Sequence, residues 1–363
     1  MMLSDILSEP KLITTISAPA LSKIIAEARY HNMLAQLKHL CIREAIWDQL
    51  PLKAREHLEA AELKYVNQRQ CLENESQEFY LHLNSLNISW VYLKGAAYHL
   101  SNIDDFRGRL MGDIDILVSE GDLPKVESKL STKGWIQAHV NNHDEKFYRE
   151  WSQEIPPLRH IERRTELDLH FNILPKTLRQ SPSPEVLMQH TVNISNQGTG
   201  PKVFSPPAMV IHSAIHLFYE SEYSKGLRDL FDLYILFSSN ASDEGFWRQL
   251  IEIQDQMGNA DSVYLAIRYC HLVFNFLPPA FVIEYYNKSR PDKLTQQVLD
   301  FAYIRVFSFS YPENRKFGHD IAELFLYWRG HFKRMPIYLL IPHLTNKVLT
   351  RFNSNKKEEE LII

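Results

Sequence analysis

Cysteine is nearly missing: Cys41, Cys71 and Cys270 are the only three in 363 residues. They are odd in number, far apart and without a CxxC pair, which argues against a disulfide framework and a zinc knuckle alike. Glycine is scarce, at 12 positions, so collagen-like and glycine-rich linker architectures are out. Long apolar runs are absent too. The longest, residues 337–341, is bounded by Pro336 and Pro342 and falls well short of the roughly 18 residues of a membrane span. Residues 1–17 carry Asp5, Glu9 and Pro10 where a signal peptide would have a basic stretch and then an apolar one, so the expected location is the cytoplasm. Nor is there an excess of positive charge: 40 Lys and Arg stand against 44 Asp and Glu, a formal net charge of -4. No global basic field argues for bulk nucleic-acid binding, although a local basic site stays open.

What the chain does have is ample apolar material, 45% of its residues, and a length beyond one ordinary domain. Residues 21–86 are rich in Ala, Leu, Glu, Lys and Gln, with apolar positions at helical spacing such as Ile25, Ala28, Met33, Leu37 and Leu40. Pro51 breaks this run, and residues 54–83 read as one long helix. The pattern changes at Ile88-Ser89-Trp90-Val91-Tyr92-Leu93, a β-branched and aromatic strand ending in Lys94-Gly95-Ala96-Ala97, where a helix starts. Further strands are expected over 114–118, 135–139, 146–151 and 164–171, with a short helix at 124–130 entered through Asp122 as N-cap. Residues 196–201 read as a turn, and from 208 the chain is helical again, over 208–219, 227–238, 246–257 and 263–276. Aromatics such as Tyr264, Tyr269 and Phe274 follow helical spacing beside Leu and Ile, which reads as core rather than base-stacking surface. The expected class is α+β, with a small mixed, mainly antiparallel sheet flanked by helices. Its regions would be 1–87 (helical), 88–200 (sheet-bearing core), 201–352 (helical) and a frayed charged tail at 353–363.

The informative chemistry lies in two strands. In the first, Asp113 and Asp115 alternate with Ile114 and Ile116, so both carboxylates share one face and the apolar side chains enter the other. Two such acids repel and lose solvation near a core, and a divalent cation between them removes both penalties. The same pattern also fits two acids facing water at a sheet edge. In the second strand, Glu166, Asp168 and His170 share one face, opposite Leu167 and Leu169. Two acid-bearing strands together are what a two-metal phosphoryl-transfer site requires.

Taken in order, Lys94-Gly95, then Arg109-x-x-Gly112-Asp113-x-Asp115 followed by Ile116-Leu117-Val118, then Asp168-Leu169-His170-Phe171 closely resemble the uncharacterised nucleotidyltransferase family. That family is a bacterial branch of the DNA polymerase β-like superfamily. The resemblance covers about residues 21–236 and makes 88–200 the nucleotidyltransferase core. It implies transfer of an NMP from an NTP such as ATP to an acceptor hydroxyl, with release of pyrophosphate. Asp113 and Asp115 would bind two Mg²⁺ ions, or Mn²⁺, and Asp168 the catalytic metal, with a share in deprotonating the acceptor. Gly95 would let its backbone approach the triphosphate, and Ala96 stands where many superfamily members place a phosphate-touching Ser. Lys94 and Arg109 would neutralise phosphate charge, with surface cations as the plain alternative.

Two features of the C-terminal half complete the candidate set. His212 and His216 lie at i, i+4 on one helix face. A zinc-protease HExxH reading fails because Ser213 stands where Glu is needed, leaving His216 as a core-edge or site-lining residue. Lys225-Gly226-Leu227-Arg228-Asp229-Leu230-Phe231-Asp232-Leu233 resembles a helix of superfamily relatives whose cations face the nucleotide; it reads equally as a surface salt bridge in a first helical turn. The acceptor stays open among small molecule, RNA and protein, and the oligomeric state is open as well. The rival readings are a catalytically inactive binding or accessory module in a biosynthetic cluster, and a toxin-type nucleotidyltransferase.

Overall fold

The computed structural model describes residues 1–101, 103–137, 142–178, 183–194, 200–258 and 260–340, with the backbone alone at 142–144. The chain opens with four helices: α1 (Leu3–Ser8), α2 (Ala18–Tyr30), α3 (Leu34–Arg43) and α4 (Leu52–Asn84). The 33-residue α4 buries Leu58, Tyr65, Leu72 and Phe79, each seven residues after the last. That spacing makes a narrow apolar stripe, so the long helix lies along the body with its charged sides in water. The short α1, which the sequence reading left without an element, buries Leu3, Ile6 and Leu7 and reaches a C-terminal helix.

The sheet region follows as β1 (Trp90–Leu93), α5 (Lys94–Leu100), β2 (Ile114–Val118), α6 (Leu123–Ser131), β3 (Trp135–Gln137), α7 (Asn142–Trp151), β4 (Leu158–His160), β5 (Glu166–His170), α8 (Pro184–Gln189), β6 (Thr191–Asn193) and β7 (Lys202–Phe204). Among the described residues these strands form one seven-stranded sheet ordered β3-β4-β5-β2-β1-β7-β6. The neighbours β2 and β5 run parallel, as do β1 and β7. The other four pairings are antiparallel. The sheet is thus mixed and mainly antiparallel, as expected. Its middle strands β1 and β2 are buried along their whole length, which suits their apolar character outside Asp115.

Two local expectations are corrected. Residues 146–151 are the end of helix α7, not a strand. Their alternation of aromatic and charged residues is met at helical spacing, where Phe147 and Trp151 bring their rings to 6.1 Å and Arg149 pairs with Glu145 four residues back. Asp122 stands at the start of α6, yet its carboxylate takes Ser119 and Lys125 instead of capping a backbone N–H. Positions 138–139 of the expected third strand, most of the expected turn at 196–201 and the tail from 353 lie outside the described residues.

After β7 come α9 (Pro206–Tyr219), α10 (Gly226–Ser239), α11 (Glu244–Met257), α12 (Asp261–Phe274), α13 (Ala280–Tyr286), α14 (Lys293–Ser308) and α15 (His319–Arg334). One continuous apolar core runs from Leu3 through the sheet to Leu326. Tyr264, Tyr269 and Phe274 belong to it, so these aromatics serve packing, as their spacing implied. No helix among the described residues is long and apolar enough to cross a membrane.

Candidate active site

The sheet order brings the acids together. β2 pairs with β5 in parallel register, with Asp115 directly beside Asp168, and with β1 on its other side, where Leu93 faces Asp115. Asp113 precedes β2 by one residue and joins the same face. Asp113, Asp115 and Asp168 each present a carboxylate oxygen, all within 4.8 Å of one another. Burial is graded across them: Asp115 is 2% exposed, Asp168 half-buried and Asp113 exposed at the rim.

Asp115 is held from two sides. Its Oδ1 accepts from Lys94 Nζ at 2.6 Å and lies 3.1 Å from His170 Nε2. His170 also lies 3.3 Å from Glu154, whose backbone bridges to it. Lys94 reaches Asp115 because the chain turns sharply where β1 becomes α5. There Lys94 adopts a φ of 47°, the left-handed region that a non-glycine residue rarely enters.

The electrostatics follow from this packing. Burial works against the charge on Asp115, but Lys94 and His170 outweigh it and hold its carboxyl well below the usual range. Burial likewise disfavours the Lys94 ammonium, and Asp115 and Glu154 restore it. Lys94 pairs with Asp115 and not with Asp168, and the charge of His170 lowers Asp168 less than its surroundings raise it. Burial, then the charges of Asp115, Glu154 and Asp113, push it up to about 7. Asp113 is raised by burial and by Asp115, against the pull of Lys94 and Lys225. The cluster therefore carries more negative charge than its own cations neutralise. Three hard carboxylate oxygens in one small space suit Mg²⁺ or Mn²⁺, so the residues fit a divalent ion.

The loop before Asp113 is fixed by residues far away in sequence. Arg109 is 5% exposed and clamps Asp232 of α10, with Nη2 at 2.7 Å and Nε at 3.1 Å, while Asp229 lies 3.4 Å away. Gln68 of α4 donates to the Met111 carbonyl at 2.6 Å and accepts from its N–H at 3.2 Å. His99 holds the Arg109 carbonyl at 2.5 Å. Gly95 sits under this loop: a Cβ there would fall 2.9 Å from the Met111 Cβ, closer than real contacts allow. Ala96 is fully buried. Arg228 is 8% exposed and pairs with Asp229 at 2.7 Å, whereas Lys225 is exposed on the side where its charge acts on Asp113.

His216 lines a cavity of about 210 Å³ together with Lys94, Glu154, Asp168, Glu220 and Arg334. Burial, and then the charge of Lys94, keep its imidazole neutral, well below the ordinary value. His212, one turn earlier, is buried under the sheet with its ring 5.7 Å from Phe204. The structure thus gathers Asp113, Asp115, Asp168, Lys94 and His216, with Lys225 at the edge. Arg109 and Arg228 sit instead in ion pairs with α10 acids. Sequence reasoning did not single out Gln68, Glu154, Glu220 or Arg334. The role of Asp229 and Asp232 had a signal in the RDxxD spacing, whose acids lie on one helix face.

Fold and site together define an α+β protein with a three-carboxylate centre able to hold a divalent metal. A family model described as "Uncharacterised nucleotidyltransferase" matches residues 18–275, and the chain belongs to that family. No curated protein and no solved structure matches the chain.

Proposed function

We propose that this protein is a metal-dependent nucleotidyltransferase that moves an NMP from an NTP to an acceptor hydroxyl. The observation that carries the reading is the convergence of Asp113, Asp115 and Asp168 within 4.8 Å in a chain of this family. The acceptor oxygen attacks the α-phosphorus, the bond from that phosphorus to the bridging oxygen breaks, and pyrophosphate leaves. Asp113, Asp115 and Asp168 would hold two Mg²⁺ ions, which supply the charge that activates the attacking oxygen and stabilises the leaving pyrophosphate.

The remaining work falls to the chain's own residues. Lys94 and His170 fix the Asp115 carboxylate, so its direction is set before substrate arrives. Asp168, beside Asp115 and on a cavity wall, is the carboxylate placed to take the acceptor's proton. It faces the cavity shared with His216, Glu220 and Arg334, which is where the acceptor would sit. Lys225 is exposed and its charge reaches Asp113, so it would meet the triphosphate at the rim of the acid cluster. Arg109 and Arg228 contribute by positioning, through the ion pairs they already make.

Two observations favour the rival, an inactive member used as a binding module. Lys94 already neutralises Asp115, and Ala96 offers no hydroxyl to a phosphate. Calorimetry of NTP binding separates the two. The transferase needs Mg²⁺ or Mn²⁺ to bind NTP, because a triphosphate beside three carboxylates is otherwise repelled. Equal affinity in EDTA would overturn it. Labelled NTPs with cell extract then reveal where the label goes, whether to small molecule, RNA or protein, and so identify the acceptor or a toxin-type target.

A further inference from the structure

A second cavity, of about 530 Å³, lies between α12, α14 and α15, and neither the acid cluster nor the loop that supports it takes part in its walls. Its size is that of a small-molecule site. Tyr264, Leu265, Val298, Leu299 and Phe325 make the walls mostly apolar. Two cations one helical turn apart on α15, Arg329 and Lys333, enter this apolar space.

Their partners are unusual for half-buried cations. Arg329 donates to the Phe218 carbonyl at 2.9 Å and to the Tyr303 hydroxyl at 2.7 Å, neither of them charged. Lys333 makes no ion pair among the described residues, and its ammonium lies 4.6 Å from the centroid of the Tyr219 ring. Among the described residues Asp261 is the single acid on the wall. One acid against two cations leaves the cavity with a net positive charge in an apolar setting. Burial, followed by the nearby Arg329 charge, brings Lys333 down to about 8, which marks an ammonium short of compensation. The mouth carries exposed apolar side chains: Leu294 is 71% and Val298 40% exposed.

We propose that this cavity binds an amphipathic anion, its apolar body lying against Leu265, Leu299 and Phe325 and its single anionic head on Lys333 and Arg329. A neutral apolar ligand would leave the two cations uncompensated, and a small inorganic anion would leave most of the wall bare. The site adjoins the Asp168 cavity, since Lys333 covers the Tyr219 ring that lines it and the next residue, Arg334, pairs with Glu220 at 2.7 Å. The inference does not depend on nucleotidyl transfer.

Calorimetry with decanoate and with uncharged decanol tests it, on the wild-type chain and on Lys333→Met, Val298→Trp and Leu294→Trp, each first checked for an unchanged melting transition. Decanoate binds the wild type. Lys333→Met weakens decanoate at least about tenfold, the worth of one charged hydrogen bond, and leaves decanol unchanged. A Trp at the mouth removes both ligands, and Asp113→Asn alters neither. Equal decanoate affinity in wild type and Lys333→Met overturns the proposal. So does decanoate binding that survives both Trp variants, or no binding by the wild type at millimolar decanoate.

Discussion

Asp113→Asn and Asp115→Asn remove the same charge from the same cluster, yet they have opposite expected effects on stability. Asp115 is buried, and its Oδ1 is the counter-charge of Lys94 at 2.6 Å. Removing one partner of a buried ion pair costs about 3–5 kcal/mol. The amide oxygen of Asn still accepts from Lys94, and repulsion from Asp113 and Asp168 is relieved, so the net loss for Asp115→Asn is about 2 kcal/mol, or a few degrees in melting temperature. Asp113 reaches solvent at the rim, yet the protein packed around it and the charge of Asp115 already disfavour its own charge. In metal-free buffer Asp113→Asn therefore leaves stability unchanged or raises it by about 1 kcal/mol or less. Both variants abolish nucleotidyl transfer and the stabilisation that Mg²⁺ with NTP gives the wild type. Melting curves in EDTA and in Mg²⁺ with NTP, alongside a transfer assay, measure all of this. A folded Asp113→Asn with normal transfer would sink the metal-centre assignment. A metal-free Asp113→Asn as destabilised as Asp115→Asn would show that both acids serve structure.

Arg109→Met should cost about 3–5 kcal/mol by leaving Asp232, 2% exposed, without its cation, and the double variant with Asp232→Leu should recover part of that loss. Urea titrations that show no recovery would refute the clamp between Arg109 and α10. Glu27 supplies a pH test away from the site. Burial raises it to about 7 despite hydrogen bonds from the Leu3 N–H and Asn314. The folded state then binds its proton more tightly than the unfolded one, so stability falls as pH rises from about 4.5 through about 7. Glu27→Gln should raise stability at pH 8 by up to about 3 kcal/mol and leave it nearly unchanged at pH 4.5, and an equal gain at both pH values refutes this.

Much of the site was legible in the sequence because it rests on local periodicity. Alternation in β2 and β5 put Asp113 with Asp115, and Asp168 with His170, opposite apolar faces, and the apolar partners demanded burial. Motif order then named the family, and the long α4 and the first four helices after β7 appeared at their expected places. Where two periods compete over few residues, the reading failed. Residues 146–151 alternate like a strand, but Arg149 finds Glu145 and Glu127 only on a helix. Strands as short as β4, β6 and β7 contain too few positions to show any period.

The sequence by itself determined which residues are acidic, which faces are apolar and where the strongly periodic helices form, since those depend on neighbours a few positions away. Tertiary structure alone decided which charges are spent. Arg109 and Asp232 stand 123 residues apart, and Gln68 and Met111 stand 43 apart. Lys94 meets Asp115 through the antiparallel pairing of β1 with β2, and Asp168 meets Asp115 through the parallel pairing of β5 with β2. A cation's role depends on whether a carboxylate lies within a few ångströms, because Coulomb energy falls with distance and burial removes the water that would screen it. Distance in space, unlike spacing along the chain, exists only once the chain has folded.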